Sequence, residues 1–373
     1  MTLGFEQAGF QVAAAFDVDD RTVKYHKLNF PHGRTFKSDV AKLTGREILR
    51  LAELSQGSVD VLFGGPPCQG FSEIGRKEDG DARNLLILEF ARLVRELQPR
   101  YFVVENVRGL LYSYSARILT SFVRRIRLAG YDVVRPIQLL NAFEYGVPQK
   151  RIRAFILGYR HGELPPSYPL PTTGDGRAAS PTVADAIADL PDVTAHDELL
   201  ISDVYFGKLG NPSEYARMLR CRPTNGYPKS NVGVTGCLRT MHSPSTVERF
   251  SVTAPGVYET RSRCYRLRLD GAAYTLRAGS DAQNGSFTAA RPIHPTQARC
   301  ITTREAARLH SFPDWFQFHP TKWHGFRQIG NAVPPLLAQA VGRAVKSAIT
   351  GNTHTNRNGI SHGHLKEGRR SRR

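Results

Sequence analysis

A single thiol stands where a short apolar segment of the chain stops. Val59-Asp-Val-Leu-Phe63 runs into Gly64-Gly65-Pro66-Pro67, and Cys68 follows directly. Thiolate is the reactive form of cysteine, and a Gly/Pro turn after a buried strand holds such a group at the ligand-binding edge of a sheet. For any one cysteine, a small buried hydrophobe is the alternative reading. The position of Cys68 between Pro-Pro and Gln69-Gly70 favours a nucleophile.

A carboxylate stands at a second strand end. Tyr101-Phe-Val-Val104 is apolar and stops at Glu105-Asn106. A carboxyl group in this place can act as a general acid if its surroundings raise its pKa. An isolated Glu is more simply read as a solvated acid. Its pairing with the Cys68 turn on a neighbouring strand end favours a shared catalytic site.

Strands and helices that could position these groups alternate through the first half of the chain. The apolar runs at 59–63, 101–104 and 152–157 predict strands, and helical spacing predicts helices at 84–97 and 116–128. This alternation predicts an α/β fold with a mostly parallel, doubly wound sheet.

The pattern changes near residue 160. The proline-rich run 164–171 cannot continue a helix or a central strand, and no clear period appears from there to about residue 295. We expect a separate, irregular, β-leaning module here. Thr302 and Glu305 have the spacing of a capping box that starts a short helix. Pro334-Pro335 predicts the start of a last helix through about Lys346.

Composition narrows the function classes. There are 51 Lys+Arg against 33 Asp+Glu, a formal charge of +18, which favours a polyanionic partner. The cysteine count of five is odd and no C-x-x-C pair occurs, so a disulfide framework and a zinc site are disfavoured and a reducing cytosol is expected. No apolar run approaches the roughly 18 residues of a membrane span, and no signal peptide opens the chain.

Five sequence blocks, taken in order, resemble the cytosine-C5 DNA methyltransferase family of bacterial restriction-modification systems. The first two are the Pro-Cys-Gln turn and the Glu-Asn-Val strand end, and the match spans roughly residues 1–346. The blocks are Pro67-Cys68-Gln69, Glu105-Asn106-Val107, Gln149-Lys150-Arg151-Ile152-Arg153, Thr303-Arg304-Glu305-Ala306-Ala307-Arg308-Leu309 with Phe312-Pro313-Asp314, and Gln328-Ile-Gly-Asn-Ala-Val-Pro-Pro335.

The resemblance implies the architecture. It implies a Rossmann-like S-adenosylmethionine-dependent methyltransferase sheet with helices on both faces, plus a smaller irregular β-rich target-recognition domain. The expected boundaries are 1–160 for the catalytic domain, 161–295 for target recognition, 296–348 for a segment returning to the catalytic domain, and 349–373 for a basic disordered tail.

The resemblance also implies a mechanism. Cys68 would attack C6 of a cytosine rotated out of the duplex, while Glu105 holds the ring N3. Arg151 and Arg153 would pair with base and phosphate oxygens; a basic strand face paired with acids is the alternative. The segment 70–83 resembles the family's mobile loop that closes over the flipped base. The remaining expected DNA-binding residues are Gln69, Ser72, Arg76, Lys77 and Gln149.

S-adenosylmethionine is the cofactor that the resemblance implies. Asp17 would hydrogen-bond its ribose, and Val18 would pack on the adenine. The other expected cofactor-binding residues are Asp39, Val40, Pro66, Leu85, Asn331 and Ala332. Sequence recognition would rest on a few base-edge contacts, for which Arg239, Arg277 and Asn284 are candidates.

The sequence departs from the family at its start. Family members open with a strand and a glycine-rich loop, whereas Leu3-Gly-Phe-Glu-Gln-Ala-Gly-Phe10 matches the helix that follows these elements. We therefore expect the first strand and the glycine loop to be missing, which would leave a central strand absent and the cofactor site open. Translation upstream of Met1 tests this expectation.

Three hypotheses remain open. The first is a sequence-specific DNA methyltransferase that acts on duplex DNA as a monomer in the bacterial cytoplasm, associated with the nucleoid and encoded near a cognate restriction endonuclease. The second is an RNA cytosine-C5 methyltransferase of the same fold. The third is a truncated, inactive DNA-binding remnant. The large insertion at 161–295 and the Pro-Pro-Cys-Gln-Gly turn favour DNA over RNA.

Overall fold

The computed structural model describes residues 1–67, 86–112, 115–221, 233–279 and 291–358. Its helices are α1 (Thr2–Gln7), α2 (Asp20–Asn29), α3 (Gly45–Ala52), α4 (Leu86–Leu97), α5 (Ala116–Leu128), α6 (Val183–Ile187), α7 (Glu214–Arg220), α8 (Pro244–Val252), α9 (Thr303–Leu309), α10 (Lys322–Asn331) and α11 (Pro335–Asn358). Its strands are β1 (Ala14–Asp17), β2 (Arg34–Lys37), β3 (Val61–Gly64), β4 (Tyr101–Val107), β5 (Tyr131–Val133), β6 (Gln138–Asn141), β7 (Gln149–Lys150), β8 (Ile152–Arg160), β9 (Val204–Tyr205), β10 (Val234–Thr235) and β11 (Ala273–Tyr274).

The main sheet has the strand order β3-β4-β8-β5, and β6 also pairs with β8. β3 and β4 are parallel, whereas β8 runs antiparallel to β4, β5 and β6. The predicted strands at 59–63, 101–104 and 152–157 therefore correspond to neighbours in one sheet. Because β8 is reversed, its first residues lie beside the last residues of β4, with Arg153 opposite Val107.

Helices cover both faces of this sheet, because alternate residues of β4 point in opposite directions. Tyr101 and Val103 pack in one buried cluster with residues of α1 and α11. Phe102 and Val104 pack in another cluster with residues of α4 and α5. The contact of α1 with α11 is close, since a Cβ added at Gly4 would lie 2.5 Å from the Ala338 side chain. Both clusters hold β4 rigidly, and with it the residues at its carboxyl end.

β1 and β2 form a separate two-stranded parallel sheet. Phe16 of β1 and Leu62 of β3 pack against the same cluster of α3 and α4 side chains, so the two sheets lie under one helical layer. Within the described residues no strand bridges β1 and β3.

The region 161–295 differs from its prediction. Its described part contains α6, α7 and α8 but only two-residue strands and isolated bridges, so the β-rich expectation is wrong for these residues. Buried arginines take the place of strand ladders. The Arg266 guanidinium donates to the carbonyls of Phe250, Thr253 and Pro295. Side chains therefore satisfy carbonyls that a regular sheet would pair.

The last elements also depart from the expected boundaries. α9 packs in one core cluster with α6 and with Tyr215 of α7, so the boundary at 296 does not coincide with a change of packing. The capping box is present, with Thr302 accepting from the Glu305 amide. α11 continues to Asn358, past the expected start of the tail at 349. Residues 359–373 lie outside the described residues.

Candidate active site

A partly buried ion pair lies where β4 ends and β8 begins. Arg153 Nε is 3.0 Å from Glu105 Oε1, and the two side chains are only 15% and 12% exposed. The antiparallel register creates this contact because it sets the start of β8 beside the end of β4. The pair fixes the carboxylate in place, and the Arg153 guanidinium is itself held by donation to the Ile152 carbonyl at 2.8 Å.

The Gly-Gly-Pro-Pro turn lies against the same carboxylate. A Cβ added at Gly65 would be 2.9 Å from Glu105 Oε2, so a larger residue there would press on the acid. The Asn106 side-chain amide donates to the Pro66 carbonyl at 3.2 Å and ties the end of β4 to this turn. Sequence reasoning did not single out Asn106, although it adjoins the predicted acid. Cys68 itself lies outside the described residues, one position beyond Pro67.

Arg151 lies in a different environment from Arg153. It is 1% exposed, and its guanidinium donates to the carbonyls of Leu276, Gly330 and Ala332 at 3.0, 2.6 and 3.0 Å. Burial lowers the pKa of Arg151 well below its usual value, and the nearby Arg153 charge adds to this effect. The expectation that Arg151 contacts base or phosphate oxygens is therefore wrong: its donors hold the chain around Gly330 in place.

Gln149 is also internal, so the expectation that it binds DNA is wrong. Its side-chain amide donates to the Leu309 carbonyl and to His310 Nδ1, at 3.2 and 3.0 Å, and its oxygen accepts from the Leu276 amide. His310 Nε2 then donates to the Ala332 carbonyl at 3.0 Å. Burial, with Arg151 nearby, lowers the pKa of His310 well below its usual value, which matches a neutral ring with one proton. Sequence reasoning missed His310, because an isolated buried histidine has no pattern of its own.

Asp17 and Val18 end β1 at an accessible position. The Asp17 carboxylate accepts from the Asp19 amide at 2.8 Å, and burial raises its pKa, with the Asp19 charge adding to the rise. Val18 directly follows the strand and is 63% exposed. A carboxylate could accept from sugar hydroxyls, and an exposed aliphatic side chain beside it could pack on an aromatic ring.

The other predicted cofactor residues are spread over several elements. Asp39 caps the short helix Val40–Lys42 by accepting from the Ala41 amide, and the Val40 side chain packs against the cluster under α3 and α4. Asn331 is exposed at the end of α10, and the adjoining Ala332 carbonyl is held by Arg151 and His310. Pro66 lies in the turn beside Glu105. Leu85 lies outside the described residues.

Most of the predicted DNA-binding positions cannot be placed. Gln69, Ser72, Arg76 and Lys77, with the segment 70–83, lie outside the described residues, as does Asn284. Among the candidate base readers, the Arg239 guanidinium donates to the Thr194 carbonyl at 2.7 Å, which leaves it committed to its own chain. Arg277 is exposed.

The described part of the chain offers neither a membrane span nor a metal site. No helix in it is both long enough and apolar enough to cross a membrane. It contains no group of three or more His, Cys, Asp or Glu side chains that could hold a metal ion.

Comparison with known proteins identifies the family. The family described as C-5 cytosine-specific DNA methylase matches residues 1–347. The chain belongs to this family. It is 47% identical over 355 residues to the Type II methyltransferase M.XorII of Xanthomonas oryzae pv. oryzae, covering 94% of this chain and 82% of the relative. It is 30% identical to the Type II methyltransferase M.AgeI of Thalassovita gelatinovora, covering 93% and 96% of the two chains.

Solved structures agree with this assignment. A DNA modification methyltransferase encoded within an E. coli prophage superposes with a TM-score of 0.77 at 33% identity, covering 94% of this chain and 96% of that one. The Dnmt2 methyltransferase of S. pombe superposes with a TM-score of 0.55 at 16% identity, a likeness of fold alone. The mixed α/β fold with its multi-stranded sheet is thus the fold of this family.

Proposed function

We propose that this chain transfers a methyl group from S-adenosylmethionine to C5 of cytosine within a specific duplex DNA sequence, through a covalent bond between Cys68 and C6. It is a DNA (cytosine-5-)-methyltransferase by family, and the relatives are Type II methyltransferases. The observation that carries the proposal is the partly buried Glu105–Arg153 pair, which lies against the turn that leads into Cys68.

The chemistry needs a nucleophile and an electrostatic partner. Cytosine C5 is a poor nucleophile until a thiolate adds to C6, which forms an S–C6 bond and makes C5 enamine-like. We assign the thiolate to Cys68. Glu105 would share a proton with the ring N3 and so balance the charge that the addition pushes into the ring. Arg153 would hold Glu105 in position and donate to the adjacent ring carbonyl oxygen.

The final steps restore the aromatic ring. Once C5 carries the new methyl group, a base removes the C5 proton, and its electron pair expels the Cys68 sulfur as thiolate. The same turn therefore serves for attack and for release. None of the described side chains offers itself as this base, so a bound water is the simplest agent.

The residues at the carboxyl ends of β1 and β3 fit S-adenosylmethionine. Asp17 would accept from the ribose hydroxyls and Val18 would pack on the adenine, with Asp39, Val40 and Pro66 around the ring. Leu85 would close the pocket, and Asn331 and Ala332 would approach from the end of α10. When bound, S-adenosylmethionine supplies a methyl group on a positively charged sulfur. The chain's part is to hold that carbon in line with C5.

The substrate base must leave the duplex to reach this site. In this proposal the main sheet is the Rossmann-like methyltransferase core, residues 161–295 form the target-recognition domain, and 296–348 return to the core. The segment 70–83 would close over the flipped base, with Gln69, Ser72, Arg76 and Lys77 on the phosphates. The enzyme would act as a monomer in the cytoplasm, on the nucleoid, with a restriction endonuclease of the same specificity encoded nearby.

A covalent trap tests the mechanism. A duplex with 5-fluorocytosine at the target cannot lose its C5 substituent as a cation, so addition and methylation leave the protein attached to DNA. With S-adenosylmethionine, the unaltered protein should give an adduct that survives denaturing electrophoresis, and Cys68→Ala should give none. Methyl transfer to ordinary duplex should fall by roughly 10⁴-fold or more in Cys68→Ala.

Cys221→Ala is the matched control, because Cys221 is an exposed thiol outside this site. It should retain both the adduct and the methyl transfer. An adduct that persists in Cys68→Ala would reject Cys68 as the nucleophile. An unaltered protein that binds duplex DNA but yields neither adduct nor methylation would favour the inactive-remnant hypothesis.

A further inference from the structure

The chain just before the strand that carries Arg153 is also extended, but it lies outside the main sheet. β7 precedes β8 with only Arg151 between them, and β7 pairs with β11 rather than with the main sheet. Lys150 is exposed on β7, three residues before Arg153. An extended chain advances about 3.3 Å per residue, so Lys150 lies at most about 10 Å from Arg153 along this strand.

Three tyrosines gather beside Lys150. Tyr274 of β11 stands opposite Lys150 in the parallel register, and the neighbouring Thr275 hydroxyl donates to the Lys150 carbonyl at 2.8 Å. The Tyr274 ring packs edge-on against Tyr265 at 4.5 Å, and lies 6.4 Å from the nearly parallel ring of Tyr258. We call Tyr258, Tyr265 and Tyr274 the tyrosine cluster.

Two rings of the tyrosine cluster are turned to solvent. Tyr258 is 51% exposed and Tyr274 is 48% exposed, while Tyr265 lies beneath them against the core. Adjacent exposed rings form an uncovered apolar patch of the kind that marks an interaction site. Each ring also carries a hydroxyl, which suits a partner that is apolar in one part and polar in another.

The charge around the tyrosine cluster favours an anion. Lys150 adjoins Tyr274 in the register, and Arg277 is exposed three residues further along the chain. Two acids nearby are neutralised by arginines: Asp270 is paired with Arg268 at 2.6 Å, and Glu259 with Arg249 at 3.2 Å. A deoxyribose-phosphate chain has the required chemistry, since a ring can pack on the sugar while hydroxyl and ammonium groups donate to phosphate oxygens.

We propose that Tyr258, Tyr274 and Lys150 form a contact surface for the sugar–phosphate backbone of the duplex, within about three nucleotides of the target cytosine. The distance follows from the strand geometry, because 10 Å corresponds to roughly three base-pair steps of about 3.4 Å along the axis of the duplex. Backbone contacts position the duplex without reading its sequence. This inference rests on the proposed function, since it takes the base-binding position from Glu105 and Arg153.

Equilibrium binding tests the surface without requiring methyl transfer. The affinity for a fluorescent duplex that contains the target would be measured by anisotropy for each variant. We expect Tyr274→Ala and Tyr258→Ala to weaken binding by about 10-fold, and Tyr274→Phe to weaken it less because the ring remains. Lys150→Ala should weaken binding and lower the slope of log affinity against log salt by about 1. All should lose affinity equally for duplexes with and without the target.

Leu128→Ala is the control, since Leu128 is an apolar residue at the end of α5 that is 79% exposed and lies outside both residues 161–295 and the tyrosine cluster. It should bind as the unaltered protein does. Thermal unfolding of each variant checks that the fold is retained. DNA binding needs no thiolate. If the 5-fluorocytosine duplex gave no adduct but the Tyr258, Tyr274 and Lys150 variants still bound DNA more weakly, only the proposed methyl-transfer mechanism would be rejected.

Neutral phosphates test the placement. Single methylphosphonate linkages would be placed one to six nucleotides from the target on either strand. The unaltered protein should lose affinity at a position within about three nucleotides, and Lys150→Ala should lose nothing further at that position, because the contact is already gone. Variants that bind within twofold of the unaltered protein would overturn the proposal. The proposal would also be overturned if the affinity losses from Lys150→Ala and from the methylphosphonate added together at every position. It would equally be overturned if sedimentation showed that the variants had lost only self-association.

Discussion

Two arginines separated by one residue have opposite environments. Arg153 faces an acid at the edge of the sheet, while Arg151 is enclosed by carbonyls from distant parts of the chain. Residues two apart on one strand point to the same face, but Arg151 lies in the break between β7 and β8 whereas Arg153 lies within β8. Their spacing alone therefore gives no guide to their roles.

Arg153→Ala should lower turnover while leaving most of the stability. Removal of the guanidinium leaves Glu105 without the group that orients it, so the rate should fall by about 10²- to 10³-fold. The KM for S-adenosylmethionine should change little. Steady-state kinetics with a target-containing duplex measures both quantities. A variant that loses cofactor affinity instead of turnover would contradict this role.

Arg151→Ala should mainly lower the stability of the protein, in contrast to Arg153→Ala. Three buried carbonyls would lose their donors, and the free energy of unfolding should fall by about 3–5 kcal/mol. Cofactor affinity should fall with it, because Asn331 and Ala332 follow the carbonyl that Arg151 holds at Gly330. Urea unfolding and cofactor titration check these two expectations. A variant as stable as Arg153→Ala would argue against this positioning role.

For individual residues, the sequence predicted the positions of those whose structural neighbours are also close in the chain. Glu105 and the Pro66 turn follow from strand ends that local pattern reveals. Arg151 and Gln149 were assigned to the substrate because their partners, Leu276 and Leu309, are more than a hundred residues away. No local pattern contains that information.

Among the elements, α9 shows how a short helix is held. It carries a capping box, and Glu305 also accepts from Arg299 at 2.9 and 2.7 Å and lies 3.5 Å from His294. Burial alone would raise the pKa of Glu305, but the Arg299 charge outweighs it and the pKa falls to about 2. The carboxylate therefore contributes stability in its ionised form.

Glu305→Gln should destabilise the protein by about 3–5 kcal/mol at pH 7, because it leaves the Arg299 charge buried and unpaired. The folded-state pKa is below the ordinary value of 4.5, so the contribution is complete above about pH 4.5 and is lost as the pH falls towards 2. Urea unfolding of variant and unaltered protein between pH 7 and pH 3 should therefore converge at low pH.

The exposed Glu198 supplies the control, since its side chain is 61% exposed in its pair with His196. Glu198→Gln should change the unfolding free energy by less than about 0.5 kcal/mol. An unfolding difference for Glu305→Gln that grows as the pH falls would show that the sign of the pKa shift is wrong.

The sequence predicts most accurately those elements that have a clear hydrophobic periodicity or a helix-capping motif. α5 was predicted at its observed bounds, and the Thr302 capping box starts α9 as expected. The region 161–295 was not, because its cohesion comes from side chains such as Arg266 and Arg308 that bind backbone and acids across sequence gaps. The composition of this region predicted strands, but its tertiary contacts stabilise short helices and loops instead.

On the scale of the whole molecule, charge should govern DNA affinity. The formal charge of +18 predicts that binding to nonspecific duplex falls by about 10³-fold between 50 and 200 mM salt, through release of condensed counterions. Anisotropy titrations across this range measure the slope. Affinity that barely responds to salt would contradict a backbone-dominated interface.

The basic end of the chain contributes part of this charge. Lys366, Arg369, Arg370, Arg372 and Arg373 lie in the last fifteen residues. A chain ending at Asn358 should therefore bind more weakly at low salt and show a smaller slope. Most of the salt dependence should remain, because most of the basic excess belongs to the body of the protein.

The partners of Arg151 have a consequence for synthesis of the protein on the ribosome. Arg151 binds carbonyls 125 to 181 positions further along the chain, and α1 packs on α11. At about 5–20 residues per second, translation needs roughly 10 to 40 s to travel from Arg151 to Ala332. During that interval the Arg151 guanidinium of the nascent chain has not yet met the carbonyl groups that it binds in the folded protein. The catalytic layer therefore closes only after Ala332 and α11 have been translated, and a chain that stalls before them cannot hold its early catalytic residues together.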